Sequence, residues 1–179
     1  MLFRSIRQIR EWQADLVMTP RAHDYHPDHR YTAMAVQDAA YLVVVPNIAR
    51  GTAALRKNPV FMYFQDPFQS PEPFRPDVAV AIDDVVDRKI AMLDAHVSQF
   101  YEWLPWVEGE AGTVPTEPSA RMAWLKTRRA EAPTPAIRAA LVARYGNTRG
   151  NAIDYAEAFQ LCEYGARADE DALRRLFPF

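Results

Sequence analysis

The sequence is poor in cysteine: Cys162 is the only one among 179 residues. No disulfide can therefore form within the chain, and a reducing compartment such as the cytoplasm is the expected location. Cys162 lies in the apolar stretch 155–164, where a buried, unreactive thiol is more common than a nucleophile. The single cysteine thus excludes a disulfide-stapled fold and does not suggest thiol chemistry.

The sequence also lacks a strong net charge and a long hydrophobic run. Its net charge is -2 and its isoelectric point is about 6.1, so charge gives no reason to expect a nucleic acid or an acidic membrane as partner. No segment approaches the roughly 20 apolar residues that a membrane-spanning helix needs. We therefore expect neither a nucleic-acid-binding nor a membrane protein.

The first residues combine apolar and basic side chains at helical spacing. Residues 2–13 are predicted to form an amphipathic helix whose basic side carries Arg4, Arg7 and Arg10. Such a segment could be a transit peptide or a membrane-surface helix. We favour a helix packed on the protein with its arginines in solvent, because no small-residue cleavage site follows and the segment runs directly into a strand-like stretch.

What the sequence does contain is the composition of one globular α/β domain covering residues 1–179. Hydrophobic residues make up 49% of the chain and charged residues 25%, which is ordinary for such a domain. The proline-rich connection between the second and third predicted strands is long enough to be a lid. Strands are predicted at 15–19, 60–64 and 78–82, and further helices at 28–45, from Asp83 or Asp84 to Leu104, and at 119–131, 135–145, 152–164 and 169–177.

Three short strands make a thin sheet for a chain of this size. The chain also opens with a helix that leads into a strand of central appearance, as if preceding strands were absent. We therefore expect a layered α/β fold that is truncated at its amino-terminal side and has a helical carboxy-terminal part. Such a truncation would leave Leu16, Val17 and the strand 78–82 partly exposed.

The most informative segment is a loop rich in histidine that follows the first predicted strand. Three of the four histidines of the chain, together with two aspartates, occur within seven residues: His23, Asp24, His26, Asp28 and His29. Imidazole and carboxylate groups are the ligands that bind zinc or a similar divalent metal. Because α/β sheets place ligands at the carboxyl ends of their strands, we expect a metal or catalytic site here.

The position of each side chain suggests a separate role. If Pro27 begins a helix, His29 lies in its first turn, where the helix dipole favours the neutral imidazole that a metal requires. Asp28 could then orient a neighbouring imidazole, and His26 could contact a developing oxyanion. The alternative is a capping loop, in which Asp24 or His26 only caps the helix. The loop offers one or two ligands, and Asp83, Asp84 and His96 are the only other plausible donors.

Three blocks of the sequence resemble the PIG-L/LmbE-like zinc-dependent de-N-acetylases. The run Asp-Tyr-His-Pro-Asp-His-Arg at 24–30, followed by Asp-Ala-Ala at 38–40, is similar to a conserved motif of that family. Lys89 with His-Val-Ser-Gln at 96–99, and Ala-Glu-Ala-Phe at 156–159, are similar to two later blocks. The blocks follow the family order and together span most of the chain.

The resemblance implies a Rossmann-like three-layer sandwich and a single zinc ion that activates water to remove an N-acetyl group from an amino sugar or its conjugate. It implies that His29 is a zinc ligand, that His26 polarises the substrate carbonyl, and that Asp28 orients a histidine. The family motif His-Pro-Asp-Asp-Glu, which supplies two further ligands and the general base, is not found in this sequence. The chain is therefore interpreted as a fragment of such an enzyme, inactive by itself, or as a degenerate paralogue.

Several assignments stay open between a functional and a structural role. Tyr25 and Arg21 would either contact the sugar or acyl group or only cover the loop. His96 and Gln99 would either line the pocket or be buried and hydrogen-bonded, and for His96 we favour burial. The alternative to the hydrolase is a non-catalytic subunit that keeps part of the fold as an interaction module, and a homo-oligomer is compatible with either function.

Overall fold

The computed structural model describes all 179 residues and shows a mixed α/β fold with four strands and eight α-helices. A π-helical turn at Ser98–Trp103 and a 3-10 turn at Ala111–Thr113 complete the regular structure. The elements in chain order are α1 Leu2–Trp12, β1 Leu16–Thr19, α2 Pro27–Leu42, β2 Val60–Phe64, β3 Val78–Ala81, α3 Val86–Asp94, α4 Leu104–Val107, α5 Pro118–Arg129, α6 Pro135–Tyr145, α7 Asn147–Ala152, β4 Ala156–Leu161 and α8 Glu170–Leu176.

The four strands form one sheet in the order β1-β2-β4-β3. β1 runs parallel to β2, with Leu16 opposite Val60. β4 lies antiparallel to both β2 and β3, so β1, β2 and β3 all point the same way. Their carboxyl ends therefore meet at one edge of the sheet, where the histidine loop follows β1.

The fourth strand lies where the sequence predicted a helix at 152–164, and that prediction is wrong. Alternate residues of β4 are buried, with Ala158 and Gln160 covered and their neighbours partly exposed. The alanine-rich sequence favours a helix locally, but β4 fills the gap between β2 and β3 and satisfies the hydrogen-bonding groups of both. Tertiary pairing therefore overrides the local preference.

Helices cover both faces of the sheet. On one face, α1 and α2 pack their apolar residues against Phe61, and α6 packs Ile137 and Leu141 against Ala79 and Ala158. On the other face, α8 and the carboxy-terminal residues cover the side chains of β2 and β3. A smaller cluster joins α3, the π-helical turn and α5. The expected partial exposure of the strand at 78–82 is not found for residues 78–80, which are buried.

Helix α1 forms as predicted, but one of its arginines is not in solvent. Ile6, Ile9 and Arg10 share the buried side of the helix, and Arg10 is only 3% exposed. Its guanidinium donates six hydrogen bonds to backbone carbonyl oxygens between Leu42 and Thr52, at 2.7 to 3.3 Å. The end of α2 and the turn after it are thereby tied to α1.

The long helix predicted up to Leu104 is also broken. Helix α3 ends at Asp94, and the chain continues through the π-helical turn into the short helix α4. Neither aspartate predicted to cap α3 does so: Asp83 instead accepts from the backbone amides of Asp154 and Tyr155 at 2.8 and 3.3 Å. His96 and Gln99 lie around the break and are exposed, so the predicted burial of His96 is wrong. None of the helices is long and apolar enough to cross a membrane.

The free edge of β1 should make the chain self-associate. β1 pairs with β2 alone, so half of its backbone groups have no strand partner, and the adjoining helix exposes 54% of Phe3 and 82% of Trp12. Sedimentation velocity should show association that increases with concentration and weakens when Phe3 and Trp12 are both replaced by serine. Tyr164→Ser is the matched control, because Tyr164 is 58% exposed and lies in the turn after β4, outside α1 and β1. A monomer at every concentration would contradict this expectation.

Candidate functional site

Asp24 is at the centre of the histidine loop. It is 9% exposed, and its Oδ1 accepts from the backbone amide of His26 at 2.8 Å and contacts Nδ1 of His29 at 3.1 Å. Arg30 donates to the carbonyl oxygens of Asp24 and Tyr25 at 3.0 and 2.7 Å. One buried carboxylate and one arginine therefore fix the backbone of the loop and the ring of His29.

His26 caps the amino end of α2. Its Nδ1 accepts from the backbone amide of Asp28 at 3.2 Å, and Pro27 occupies the first helical position, where its fixed backbone angle suits a helix start. A nitrogen that accepts a hydrogen bond carries no proton, so the proton of the neutral ring lies on Nε2. His26 therefore caps the helix, as the alternative interpretation allowed for Asp24 or His26, and its neutral ring keeps a hydrogen-bond donor at Nε2.

His29 has the opposite arrangement. An ionised carboxylate can only accept, so the contact with Asp24 matches a neutral His29 ring with its proton on Nδ1 and a lone pair on Nε2. The side chain of His29 is 47% exposed, and its ring centroid lies 4.8 Å from that of His26. Two adjacent imidazoles thus offer one donor and one acceptor nitrogen.

Asp28 does not have the role predicted for it. Its backbone amide contacts His26, but its side chain is exposed and hydrogen-bonds to neither imidazole. Asp28 lies in the first turn of α2 with its side chain in solvent. Asp24 lies in the loop before that helix, and its carboxylate contacts His29. The carboxylate that orients a histidine is therefore Asp24, a residue that the sequence suggested only as a helix cap.

Arg21 is buried and braces the proline-rich connection. It pairs with both carboxylate oxygens of Asp66, at 2.7 and 2.6 Å, and donates to the carbonyl oxygens of Glu72 and Phe68. The hydrogen bonds that Arg21 donates to Asp66 raise the pKa of Arg21, against the opposing effect of burial. This geometry favours covering the loop over contacting a substrate, because four of its five N–H donors are already used.

Tyr25 lies beside both imidazoles and is open to solvent. It is 65% exposed, its ring meets those of His26 and His29 edge-on at 5.8 and 6.1 Å, and it also contacts Phe68 at 6.0 Å. An aromatic face in this position is suited to contact a sugar ring or an acyl group that approaches the histidines.

His23 points to a different place from the other two histidines. It is exposed and lines a cavity of about 460 Å³ that lies over β2 and β4 and does not include His26 or His29. The same cavity contains Gln37, Tyr63 and Gln160, of which Gln37 donates to the Tyr63 hydroxyl at 3.0 Å. That hydroxyl donates in turn to the buried thiol of Cys162 at 3.1 Å. Gln37, Tyr63 and Gln160 gave no signal in the sequence, whereas His23 of the same cavity did.

The two later sequence blocks meet in space. Lys89 of α3 forms an ion pair with Glu157 of β4, and both line a second cavity of about 440 Å³, together with Tyr155. The pair links α3 to the sheet at the carboxyl-end edge. His96, in contrast, does not line this cavity; its ring meets that of Phe100 edge-on, with the centroids 6.5 Å apart.

The side chains do not form a complete metal site. No group of three or more histidine, cysteine, aspartate or glutamate side chains is placed to hold an ion. A catalytic zinc ordinarily has three protein ligands, whereas this loop supplies Nε2 of His29 with Asp24 behind it. The donor set therefore fits one position of a zinc site and not the whole.

No protein-family model matches the sequence, and none of the curated proteins is detectably similar to it. Solved structures do share the fold. The 4-carboxy-2-hydroxymuconate hydratase GalB from Pseudomonas putida is 20% identical, with a TM-score of 0.61 over 94% of this chain. N,N'-diacetylchitobiose deacetylase from Pyrococcus horikoshii is 20% identical (TM-score 0.55, 91% of this chain), and the conserved protein TT1542 from Thermus thermophilus is 21% identical (TM-score 0.54, 88%).

These similarities establish the α/β fold and leave the chemistry open. At about 20% identity, one similar structure is a hydratase and another a deacetylase, so the fold alone does not select a reaction. The chain spans 60%, 51% and 56% of the lengths of the three structures. A fold that includes a deacetylase agrees with the fold implied by the sequence resemblance.

Proposed function

We propose that this chain contributes part of a zinc-dependent site that removes an N-acetyl group from an amino sugar or its conjugate. The observation that carries the proposal is the histidine pair, whose rings lie 4.8 Å apart and whose Nε2 atoms differ in hydrogen-bonding character. Support comes from the motif at 24–30 and from the fold shared with a deacetylase. Zinc, when bound in such a site, supplies an activated water molecule.

The residues of this chain have separate tasks in that reaction. Nε2–H of His26 donates to the carbonyl oxygen of the amide, which becomes negatively charged as water attacks. Nε2 of His29 presents a lone pair that suits a divalent metal. Tyr25, exposed beside both rings, contacts the sugar or the acyl group.

The missing ligands require a second segment of polypeptide. β1 has a free edge, and the histidine loop begins directly after its carboxyl end. A strand added in parallel to that edge would end at the same edge of the sheet as the histidine loop, so its own loop could provide the remaining ligands and the general base. We propose that this segment adds at β1, either as another part of a longer protein or as a separate chain, and that residues 1–179 alone are inactive.

The first test is a zinc titration of the 179-residue chain by calorimetry. One imidazole does not make a preformed multi-ligand site, so binding should be weak or absent, and His29→Ala should change little. Tight stoichiometric binding that His29→Ala abolishes would show that further ligands lie within the chain. Asp84 and His96 are the residues to replace next in that case.

A second candidate is the non-catalytic subunit. The absence of a three-ligand group favours it for this polypeptide, whereas the retained histidine geometry favours the hydrolase. The protein produced from its natural gene, with any in-frame upstream sequence retained, separates the two. Deacetylation of N-acetylglucosamine by that protein supports the hydrolase, and a folded protein that neither binds zinc nor deacetylates supports the subunit.

A further inference from the structure

Asp24 makes two contacts that serve different purposes. Its bond to the amide of His26 spans two residues and is the ordinary turn that aspartate forms with the following backbone. That contact alone would make Asp24 a loop-forming residue. The contact with Nδ1 of His29 spans five residues and is not needed for the turn, so it calls for a separate explanation.

The two rings are held by different kinds of partner. A backbone N–H, which can only donate, faces Nδ1 of His26, and a carboxylate, which can only accept when ionised, faces Nδ1 of His29. The burial of Asp24 shields its contact from competing water. Neither ring can change to the other tautomeric state without losing its partner.

We propose that Asp24 is a positioning residue that holds His29 as the Nδ1–H tautomer, opposite to the Nε2–H tautomer of His26. Two neighbouring imidazoles in one loop are thereby given fixed and different roles: an acceptor at Nε2 of His29 and a donor at Nε2 of His26. The consequence for metal binding rests on the proposed function. If His29 binds zinc, loss of the Asp24 carboxylate behind it should reduce the zinc affinity about 10- to 100-fold.

The test is the imidazole nitrogen NMR spectrum of the metal-free 179-residue chain at a pH of about 8, where an ordinary imidazole with a pKa of about 6.5 is neutral. Protonated and unprotonated ring nitrogens have distinct shifts and couplings to the ring hydrogens. His23 and His96, which are exposed and whose rings make no hydrogen bonds, give the spectrum of an unconstrained imidazole in the same sample. We expect the tautomers of His26 and His29 to differ from each other in the way stated.

Asp24→Ser is the most informative variant. The serine hydroxyl can still accept from the amide of His26, but its shorter side chain does not reach His29. His29 should therefore adopt the pattern of His96, while His26 keeps its own pattern and so reports that the loop is intact. Asp24→Asn, whose amide oxygen still accepts, should restore both patterns, and Asp28→Ala should change neither.

Each outcome decides the proposal. If His29 resembles His96 in the unaltered chain, or keeps its tautomer in Asp24→Ser, Asp24 only forms the turn and the inference is wrong. If Asp24→Ser also disturbs His26, the tautomer of His29 in the unaltered chain decides, because Nδ1–H there requires an acceptor such as Oδ1 of Asp24 and Nε2–H excludes that contact. The expected spectra without deacetylase activity in the natural gene product would leave the positioning role standing and overturn the proposed function.

Discussion

Replacing Arg10 with methionine should lower the free energy of unfolding by about 2–4 kcal/mol, since each carbonyl oxygen that loses its only donor costs about 1–3 kcal/mol. Arg10 is 3% exposed, donates to six backbone carbonyls and forms no ion pair. Methionine fills similar space but donates nothing, so the carbonyl oxygens of Ile48 and Thr52 lose their donor. The other four carbonyl oxygens, those of Leu42, Val43, Val45 and Ala49, each keep a backbone amide. The effect should be among the largest of any single replacement outside the apolar core.

Urea unfolding followed by circular dichroism measures this change. Arg7→Met is the matched control: Arg7 lies on the same helix and is exposed, so its loss should cost no more than about 0.5 kcal/mol. Arg10→Lys should fall between the two, since an ammonium keeps the charge but has only three donors for the six carbonyl oxygens. Equal stability of the Arg7 and Arg10 variants would show that the guanidinium contributes little.

Arg10 also shows what helical periodicity can and cannot predict. The spacing of apolar residues located helix α1 and its buried side. It could not show that Arg10 is buried, because the carbonyls that bind it lie more than 30 residues away in the chain. An arginine on the border of an apolar stripe is ordinarily assigned to solvent, and only the tertiary contact with the end of α2 changes that assignment.

The strand β4 illustrates a second limit. Its sequence, Ala-Glu-Ala-Phe-Gln-Leu, has the composition of a helix and only weak alternation. The deciding energy lies in hydrogen bonds to β2 and β3, strands that precede it by many residues. Local preference therefore gave the wrong element, although the α/β class and the approximate positions of β1, β2 and β3 were predicted correctly.

At the site, the sequence identified the loop but not its internal contacts. The helix start at Pro27 follows from a local rule and is confirmed. Asp24 and His26 were both offered as caps in the alternative interpretation, and the structure selects His26. Which aspartate reaches His29 depends on how an irregular loop folds back, and no periodicity describes such a loop. The sequence therefore assigned the orienting role to Asp28, whereas the structure shows the side chain of Asp28 exposed and the buried carboxylate of Asp24 in contact with His29.

In the natural gene product, His29→Ala should lose zinc and deacetylase activity together. His26→Ala should keep zinc and lose about a hundredfold or more in turnover, the scale for one oxyanion donor. The contrast follows from the two tautomers: a free lone pair can bind a metal, and a free N–H can stabilise a negatively charged oxygen but cannot bind a metal.

Metal content and the rate of N-acetylglucosamine deacetylation should be measured on the same samples. His23→Ala is the matched control, because His23 belongs to the loop yet lines a different cavity. It should leave both quantities near those of the unaltered protein. Circular dichroism should confirm that all three variants are folded, since His26 also caps α2 and its loss could cost about 1 kcal/mol.

The combinations of zinc content and rate have different meanings. If His26→Ala removes zinc while His29→Ala retains it, the two roles are exchanged and the tautomers inferred from the hydrogen bonds are reversed. If both variants lose zinc, His26 is a second zinc ligand and does not act as the hydrogen-bond donor to the substrate. If neither variant changes either quantity, the loop only caps a helix. Loss of both quantities in His29→Ala and of rate alone in His26→Ala is the result that requires one imidazole at the metal and the other at the substrate.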